Sequence, residues 1–375
     1  MKGLYIARID EEYSLDFGVA KKIIGQIDAL NALGQKIDYL RLKNKQVTFN
    51  SEKFEKVRYR FLAYGNFYRL LKRKYKNEYY DFVYIRYVKG NLSLYKIIKM
   101  FSKKGAKVII EIPTYPYDTE VVGFNVRDFI ERIIDKYVTN RLKKYVFRIS
   151  VTNTHKEIFG IKTININNGI DLRELPLINS NHINSINLVG IANLARWHGY
   201  DRIIQGLHNY YTEGTSKKNI MFYIIGEGSE KENLMNLTKH LNLKEKVHFL
   251  GGKTGNDLDS IFNNMHIGVS SLALFRAGGG HDPIKSKEFL GRGIPVLLGY
   301  EDKVIDMKLP YVFKVEENDN AVDIERVIQL YESCRNINSV DIREYAEKFL
   351  SWKFQMEKVI NSVEGNNYED NCNKR

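Results

Sequence analysis

The sequence predicts an α/β protein made of two doubly wound parallel sheets. The chain has 375 residues, about twice the length of an ordinary domain. Short apolar runs alternate with amphipathic helical stretches, which is typical of parallel strands covered by helices on both faces. The alternation occurs as two successive sets along the chain, and two sets predict two such domains.

Each predicted strand is a short, mostly apolar run, and a helical stretch separates it from the next. In the first half the strands are Gly3–Ile9, Ile37–Leu42, Phe82–Tyr87, Lys107–Ile112 and Val146–Thr152. The helices of that half are Gly18–Leu33, Phe54–Lys76, Leu92–Lys104 and Val126–Lys144. In the second half the strands are Ile186–Ile191, Met221–Ile225, Val247–Leu250, Ile267–Ser271 and Pro295–Leu298. The helices there are Tyr200–Tyr211, Glu230–Leu241, Asn256–Met265, Ile284–Gly293, Ala321–Cys334 and Ile342–Val363.

The joint between the domains is expected in Leu172–Asn184, a polar and turn-rich segment that follows Asn168-Gly169-Ile170-Asp171. The predicted division has an N-terminal domain over 1–183 and a C-terminal domain over 184–340. A C-terminal helix over 341–365 is expected to pack back towards the N-terminal domain, and 366–375 to form a frayed tail.

Composition indicates a folded protein of a reducing compartment. Hydrophobic residues make up 43% and charged residues 27% of the chain, which argues against disorder. No apolar run approaches the roughly 18 residues that span a bilayer. Met1–Asp10 runs directly into a strand, unlike a signal peptide. Cys334 and Cys372 have neither metal-ligand spacing nor a disulfide framework, so we expect a cytoplasmic protein.

The net charge of +13 is concentrated in the first half. Residues 1–183 carry 34 Lys and Arg against 19 Asp and Glu, whereas 184–375 carry 24 against 26. This asymmetry predicts that the first half meets an anionic surface. Ser51–Lys76 has nine basic residues interleaved with aromatic ones. It fits a solvated helix with one buried stripe, a nucleic-acid contact or, as we favour, peripheral docking on the inner leaflet of a membrane.

The strongest local pattern is the segment Gly279–Pro295. Asp282 before Pro283 predicts a helix N-cap followed by proline in the first turn, with free N–H groups that suit a phosphate. Lys285 and Glu288 lie one turn apart on one helix face, where a cation can meet phosphates and a carboxylate can accept from ribose hydroxyls. Spacing alone fits a capped surface helix with an ion pair at least as well.

The spacing Pro283-x-Lys285-x-x-Glu288-Phe289-x-x-x-Gly293-x-Pro295 resembles the donor-site signature of group 1 glycosyltransferases. These are retaining enzymes of the family 4 type with the GT-B fold, and the likeness extends to those that build capsular polysaccharide and exopolysaccharide. Further segments resemble the family in order and spacing across essentially the whole chain: Phe17–Ile23, Asn168–Asp171, Gly190–Gly199, Ile225–Gly228 and Val247–Gly251. The resemblance implies two Rossmann-like domains facing across a cleft.

The resemblance also implies roles for individual residues. Glu288 would bind the ribose, and the backbone at Gly252 and Lys253 would line the base. The remaining donor-site residues would be Gly18, Val19, His198 and Ile284. The catalytic residues would be Asp282, Arg196 and Lys285. The acceptor would meet Arg86, Glu111 and Tyr115.

Two positions depart from the family pattern. Gly280 stands where a glutamate commonly touches the transferred sugar, and Asp282 either takes over that contact or only caps the helix. His198 stands where a stronger base usually precedes the glycine, so Arg196 and Lys285 must carry more of the charge.

No carboxylate is placed as a covalent nucleophile. The family instead implies that the acceptor attacks from the face the nucleotide leaves, with a phosphate oxygen assisting its deprotonation. No carboxylate cluster predicts a metal cage, so we expect metal-independent transfer with no cofactor beyond the nucleotide-diphospho-sugar donor.

The leading interpretation is therefore a glycosyltransferase that extends a capsular, exopolysaccharide or lipopolysaccharide glycan on a lipid-linked or oligosaccharide acceptor. A non-catalytic partner subunit is supported by Gly280 alone. A GT-B-like sugar-nucleotide epimerase or phosphorylase would not explain the basic first half. A nucleic-acid-binding module needs no donor-like site and is the weakest alternative.

Overall fold

The computed structural model describes residues 1–10, 17–57, 59, 62–74, 78–116, 126–152, 154–178, 185–213, 218–278 and 283–366. The chain divides into two compact units. The first unit consists of Met1–Asn168 together with Trp352–Arg375, and the second of Gly169–Ser351. Each unit is built on one parallel-rich sheet, so the predicted α/β class with two Rossmann-like domains is confirmed.

The sheet of the first unit has its parallel strands at the centre and antiparallel pairs at both edges. Its strands are β1 (Lys2–Asp10), β2 (Lys36–Lys43), β3 (Gln46–Phe49), β4 (Glu52–Lys56), β5 (Phe82–Arg86), β6 (Lys107–Ile112), β7 (Arg148–Val151), β8 (Glu157–Ile158) and β9 (Ile161–Asn165). Across the described residues their order is β4-β3-β2-β1-β5-β6-β7-β9-β8. The pairs β2–β3, β3–β4 and β8–β9 are antiparallel.

Helices cover both faces of this sheet. They include α1 (Phe17–Ala32), α2 (Ala63–Lys74), α3 (Leu92–Lys103) and α4 (Val126–Leu142). Successive side chains of a strand point to opposite faces. In β1, Leu4 and Ile6 pack in the core beneath α2, α3 and α4, whereas Tyr5 and Ala7 pack in the core beneath α1.

The segment Phe54–Lys76, which we expected to be one helix, is different in the structure. Its start belongs to the hairpin of β3 and β4, and the helix proper is α2; residues 58, 60–61 and 75–77 lie outside the described residues. A two-residue turn brings β3 back along β2, with positive φ at Asn44 and Lys45 (50° and 57°). The Asp10 carboxylate accepts from both of their backbone N–H groups, at 3.0 and 2.8 Å. Turns of this kind match the twist of a hairpin.

The second unit has a sheet whose strand pairs are all parallel in the described residues. The strands are β10 (Ser185–Ile191), β11 (Asn219–Ile225), β12 (Val247–Gly251), β13 (Ile267–Val269), β14 (Val296–Leu298) and β15 (Val312–Lys314), in the order β12-β11-β10-β13-β14-β15. The helices are α5 (Tyr200–Glu213), α6 (Lys231–His240), α7 (Gly255–Phe262), α8 (Lys285–Gly291), α9 (Ile324–Cys334) and α10 (Ser339–Leu350).

The division between the units differs from the predicted one. It falls between Asn168 and Gly169 rather than after residue 183, and 179–184 lie outside the described residues. The segment after Gly169 belongs to the second unit because Ile170 packs in that unit's core. Arg343 of α10 also donates to the carbonyls of Leu172 and Gly291, at 2.7 and 2.8 Å.

The predicted helix Ile342–Val363 is two helices in the structure. The chain is extended at Ser351, where α10 ends and α11 (Trp352–Glu364) begins. α11 belongs to the first unit, where it packs on α1. Gly25 makes this packing possible, because an added Cβ there would lie only 2.5 Å from the Trp352 ring.

The division sharpens the charge asymmetry. The first unit carries 37 Lys and Arg against 21 Asp and Glu, and the second carries 21 against 24. No helix of the described residues is long and apolar enough to cross a membrane.

Candidate active site

The residues expected to bind the donor in the second unit gather at one edge of its sheet. Arg196 and His198 follow β10, whereas Gly252 and Lys253 follow β12. Lys285 begins α8, which follows β13. Since all the strand pairs of this sheet are parallel, these loops meet at the carboxyl edge, where α/β sheets bind their ligands.

The centre of this edge is a direct contact between Lys285 and His198. The Nζ atom of Lys285 lies 3.1 Å from Nε2 of His198, although the two residues are 87 positions apart in the chain. An ammonium group can only donate, so Nε2 accepts and the ring hydrogen sits on Nδ1. With the hydrogen on Nδ1, that nitrogen donates to the Ala195 carbonyl oxygen at 3.1 Å, although the Ala195 backbone N–H lies at the same distance. The contact with the lysine, rather than the backbone, therefore selects the tautomer.

Both groups are less basic than usual. Burial and, second, the charge of Lys285 lower the pKa of His198 to about 4, against an opposing contribution from the Ala195 backbone. Burial lowers the pKa of Lys285 to about 8, and the Glu288 carboxylate limits the change. Near neutral pH the pair thus holds a single positive charge, on Lys285. A bound anion would raise the pKa values of both His198 and Lys285, because it favours their protonated, positively charged forms.

The loop that carries His198 is held by the neighbouring strand end. The backbone N–H of Leu272, beyond β13, donates to the His198 carbonyl at 2.9 Å. Gly199 follows with a φ of 65°, and an added Cβ would lie 2.9 Å from the Cβ of Ala273. Only glycine adopts this conformation readily at so close an approach.

A hydroxyl chain holds the helix that carries Lys285. Tyr300, beyond β14, donates to Ser286 Oγ at 3.0 Å, and its hydroxyl lies 3.2 Å from Ser270 Oγ. All three side chains are buried. This chain ties the first turn of α8 to the ends of β13 and β14. Sequence reasoning missed it, and the signal for Tyr300 was its place directly after a predicted strand.

Arg196 is exposed and makes no side-chain hydrogen bond or ion pair within the described part of the chain. Its carbonyl accepts from Arg276 at 3.0 Å. Arg276 in turn holds Asp201 with two hydrogen bonds of 2.9 Å and bonds Asp319 at 2.7 Å. Arg276 therefore positions the loop and leaves the Arg196 guanidinium available, a role that sequence reasoning also missed.

The other residues expected at the donor site lie as follows. Glu288 is half-buried one turn beyond Lys285 on α8, and its carboxylate opposes the lowering of the Lys285 pKa. Ile284 is half-buried, and Gly252 and Lys253 are exposed. Their contacts with ribose and base stay predictions.

Asp282 lies outside the described residues, as do Gly280 and His281. The first described residue after this gap is Pro283, and α8 begins at Lys285 with Ile284 as its N-cap. The helix therefore starts two residues later than an N-cap at Asp282 predicts. A contact of Asp282 with the sugar stays a prediction, and the site rests on the side chains of Lys285, His198 and Glu288.

The remaining candidates belong to the first unit. Gly18 and Val19 lie in the first turn of α1, and an approach to the diphosphate stays a prediction. Tyr115 is half-buried, with its ring edge-on to His155 at 5.3 Å and to Phe159 at 5.9 Å.

Arg86 and Glu111 differ from what we expected of residues on an acceptor wall. They are buried, at 6% and 3% exposure, and form an ion pair of 2.7 Å between β5 and β6. Tyr5 and Gln26 lie within 3.4 Å of the same carboxylate. Each of these buried charges is stabilised by the other, because water is largely excluded from both. Contact of either residue with an acceptor stays a prediction.

The pKa of Lys285 predicts how nucleotide affinity varies with pH. As pH rises through about 8 the free protein loses the Lys285 charge, so a nucleoside diphosphate should bind more weakly, by up to about tenfold per pH unit. The terminal phosphate loses its last proton near pH 6, so its own titration is complete before this range. Calorimetric titration with UDP or the preferred diphosphate between pH 7 and 9 measures the effect.

The matched variant for this measurement is Lys285→Arg, whose charge persists throughout the range. Its affinity should stay flat. An equal fall in both proteins would assign the titration to a group other than Lys285.

Comparison with known proteins identifies a family for part of the chain. Residues 182–349 match the model of glycosyl transferases group 1, a segment that includes Arg196, His198, Lys285 and Glu288 but less than half of the chain. No curated protein matches the chain in sequence.

Solved structures resemble the whole chain. A glycosyltransferase from Rickettsia africae ESF-5 has a TM-score of 0.60 at 14% identity, over 97% of this chain and 98% of that one. Anabaena Alr3699/HepE, solved in complex with UDP, has a TM-score of 0.58 at 10% identity, over 97% and 100%. The apo form of the lipopolysaccharide outer core galactosyltransferase WaaB has 0.55 at 12%, over 97% and 99%.

The chain has the GT-B fold. At such low identity the likeness establishes the architecture alone. The architecture and the family match together support a group 1 glycosyltransferase.

Proposed function

We propose that the protein transfers a sugar from a nucleotide-diphospho-sugar to a growing cell-envelope glycan, with retention of anomeric configuration. The acceptor would be a lipid-linked or free oligosaccharide of capsular, exopolysaccharide or lipopolysaccharide type. The contact between Lys285 and His198 carries the donor half of the proposal, because a half-buried lysine and a buried histidine at the carboxyl edge of a parallel sheet suit a diphosphate. The UDP bound to the Anabaena protein supports the nucleotide-sugar donor. The name of WaaB, a lipopolysaccharide outer core galactosyltransferase, supports transfer to a cell-envelope glycan.

In the proposed reaction the bond between the anomeric carbon and the diphosphate oxygen breaks as the acceptor oxygen bonds to that carbon. The acceptor proton passes to a diphosphate oxygen on the same face. Negative charge grows on the leaving diphosphate, where Lys285 and Arg196 stabilise it. Glu288 accepts from the ribose hydroxyls and holds the nucleotide in place. These side chains supply the charge without a metal, and the donor is the only small molecule that the proposal requires.

Thermal stabilisation by nucleotides tests the donor site. UDP, GDP, ADP, CMP and dTDP are compared, and one is expected to stabilise the protein by about 2.7 kcal/mol at 100 times its dissociation constant. Glu288→Ala should abolish the effect, because the ribose hydroxyls lose their acceptor. Glu344→Ala, which removes an exposed carboxylate of α10, should respond as the wild type does.

If no nucleotide stabilises the protein at millimolar concentration, the donor-site proposal is wrong. The non-catalytic partner subunit would then be the better description of the chain. An equal response in Glu288→Ala would keep a nucleotide site but remove Glu288 from it.

We also propose that the protein works at the inner face of the cell membrane, where a lipid-linked acceptor is reached. The excess of 37 basic over 21 acidic residues in the first unit supports this location, because the inner leaflet is negatively charged.

A further inference from the structure

Among the side chains that the structure describes, one helical layer of the first unit carries few acidic groups towards its outer surface. This layer consists of α2, α3 and α4, which pack side by side over the same core. The sequences of α2 and α3 contain no Asp or Glu. In α4, Glu131 is paired with Lys89 at 3.1 Å. Asp135 accepts from the Gly90 backbone at 2.5 Å and from the Tyr87 hydroxyl at 3.1 Å.

The basic side chains of the same layer remain at the surface. Those that are exposed or half-buried are Arg69, Lys72, Arg73, Lys96, Lys99, Lys103, Arg132 and Lys136. Arg132 and Lys136 form no ion pair with any of the described residues. With Glu131 and Asp135 engaged by the loop after β5, the described charges on the outer surface of the layer are mainly positive.

α4 also exposes an apolar stripe, which consists of Phe129, Ile130, Ile133 and Tyr137. Each of these side chains is between 45% and 63% exposed. They recur every three or four residues, so they form one continuous strip along the helix. The opposite face is already used, because Val138 and Leu142 are fully buried in the core. A surface helix of a globular protein normally places polar residues where α4 has this stripe.

Positive charge borders the apolar stripe. On a helical projection Arg132 and Lys136 follow Phe129 on one side, and Arg141 follows Ile130 on the other. The Arg141 guanidinium lies 3.6 Å from the centre of the Tyr137 ring. An apolar strip with cations along its borders is the arrangement of helices that lie in the headgroup region of a bilayer.

We propose that the apolar stripe of α4, with the cations of α2, α3 and α4 around it, docks on an anionic lipid surface. The stripe enters the boundary between headgroups and acyl chains, and the cations meet the lipid phosphates. This deepens the proposed function, on which it rests for its purpose: docking brings the protein to a lipid-linked acceptor. A nucleic acid would satisfy the cations but would leave Ile130 and Ile133 without favourable contacts.

The sequence favoured Ser51–Lys76 as the segment that docks on the membrane, but in the structure several of its apolar side chains are buried. Tyr64, Phe67 and Leu71 of α2 are at most 1% exposed and belong to the core. Tyr59 and Leu62 of that segment are exposed, at 48% and 45%, but the exposed apolar side chains that form a continuous helical stripe lie on α4.

Vesicle flotation tests the proposal. Wild-type protein is mixed with vesicles of phosphatidylcholine alone or of phosphatidylcholine and phosphatidylglycerol in equal parts. We expect at least about tenfold stronger binding to the anionic vesicles, and weaker binding as salt rises. The double variant Phe129→Ser/Ile133→Ser should lose about tenfold or more of that binding. Met235→Ser, which removes an exposed apolar side chain of α6, is the matched control and should bind as the wild type does.

Three outcomes would overturn the proposal: equal binding to both kinds of vesicle, full binding by the double variant, or displacement of the anionic vesicles by single-stranded RNA. Nucleotide-dependent thermal shifts of the same variants separate this proposal from the proposed function. The shifts should be unchanged, since the donor-site side chains of the second unit are untouched, and they also establish that the double variant is folded. Vesicle binding without any nucleotide shift would leave the docking surface intact and contradict the glycosyltransferase proposal alone.

Discussion

Lys285→Ala is expected to lower the turnover of the nucleotide-sugar by about 10²- to 10³-fold, the usual loss when one preorganised donor is removed from developing negative charge. Lys285 is half-buried, and its amine already contacts His198 in the unliganded protein. The charge is therefore in place before the diphosphate begins to leave. His198 replaces it only in part, because burial, the larger cause of its lowered pKa, remains in the variant.

Release of free nucleotide from the sugar-nucleotide whose base the stabilisation assay selects measures this loss. The matched control is Lys253→Ala, an exposed lysine expected to line the base through its backbone, and its turnover should change by only a few fold. If nucleotide affinity falls as far as turnover in Lys285→Ala, the lysine serves binding alone. If neither changes, Lys285 does not meet the diphosphate.

The resemblance to the family placed His198 and Lys285 at the expected donor site. The structure brings the two residues together because each follows a strand of the parallel sheet, and such strand ends meet at one edge. The order of the strands then sufficed to bring together residues 87 positions apart. The sequence could not predict that His198 accepts from Lys285, because that contact depends on how the loop after β10 places the ring against the first turn of α8.

The fold was predictable where burial leaves a strong pattern. β1, β5, β6 and β10 are mostly buried, and their continuous apolar runs showed this in advance. The prediction failed at Glu52–Lys56, an edge strand whose side chains are largely exposed. A strand with little burial has no apolar run, and the turn residues Asn44 and Asn50 were the only local signal.

The burial of Arg86 and Glu111 could not be predicted from the sequence. Both lie on neighbouring parallel strands and are register partners across β5 and β6. A charged residue near a strand end can equally face a ligand or another charge, and the choice depends on strand pairing. Here the structure pairs the two charges inside the unit.

This pair leads to the largest expected effect on stability. Glu111→Ala should destabilise the first unit by about 3–5 kcal/mol, because it leaves the Arg86 guanidinium charged and buried without its carboxylate. Burial alone opposes that charge, but the Glu111 carboxylate outweighs it and raises the pKa of Arg86. Burial and Glu111 also raise the pKa values of Tyr5 and Tyr84 well above 10, so both hydroxyls remain protonated.

Urea unfolding followed by tryptophan fluorescence measures this loss in the correct unit. The chain has two tryptophans, one in each unit: Trp352 is buried in the first, and Trp197 is exposed in the second. A Trp197→Phe background therefore lets Trp352 report on the first unit alone. In that background the double variant Arg86→Leu/Glu111→Leu should lose less stability than Glu111→Ala, because no unpaired charge remains. The stability losses of the single variants Arg86→Leu and Glu111→Leu could instead add up to the loss of the double variant. That result would show that the two charges do not depend on each other, and it would favour contact with water or with an acceptor over the internal pair.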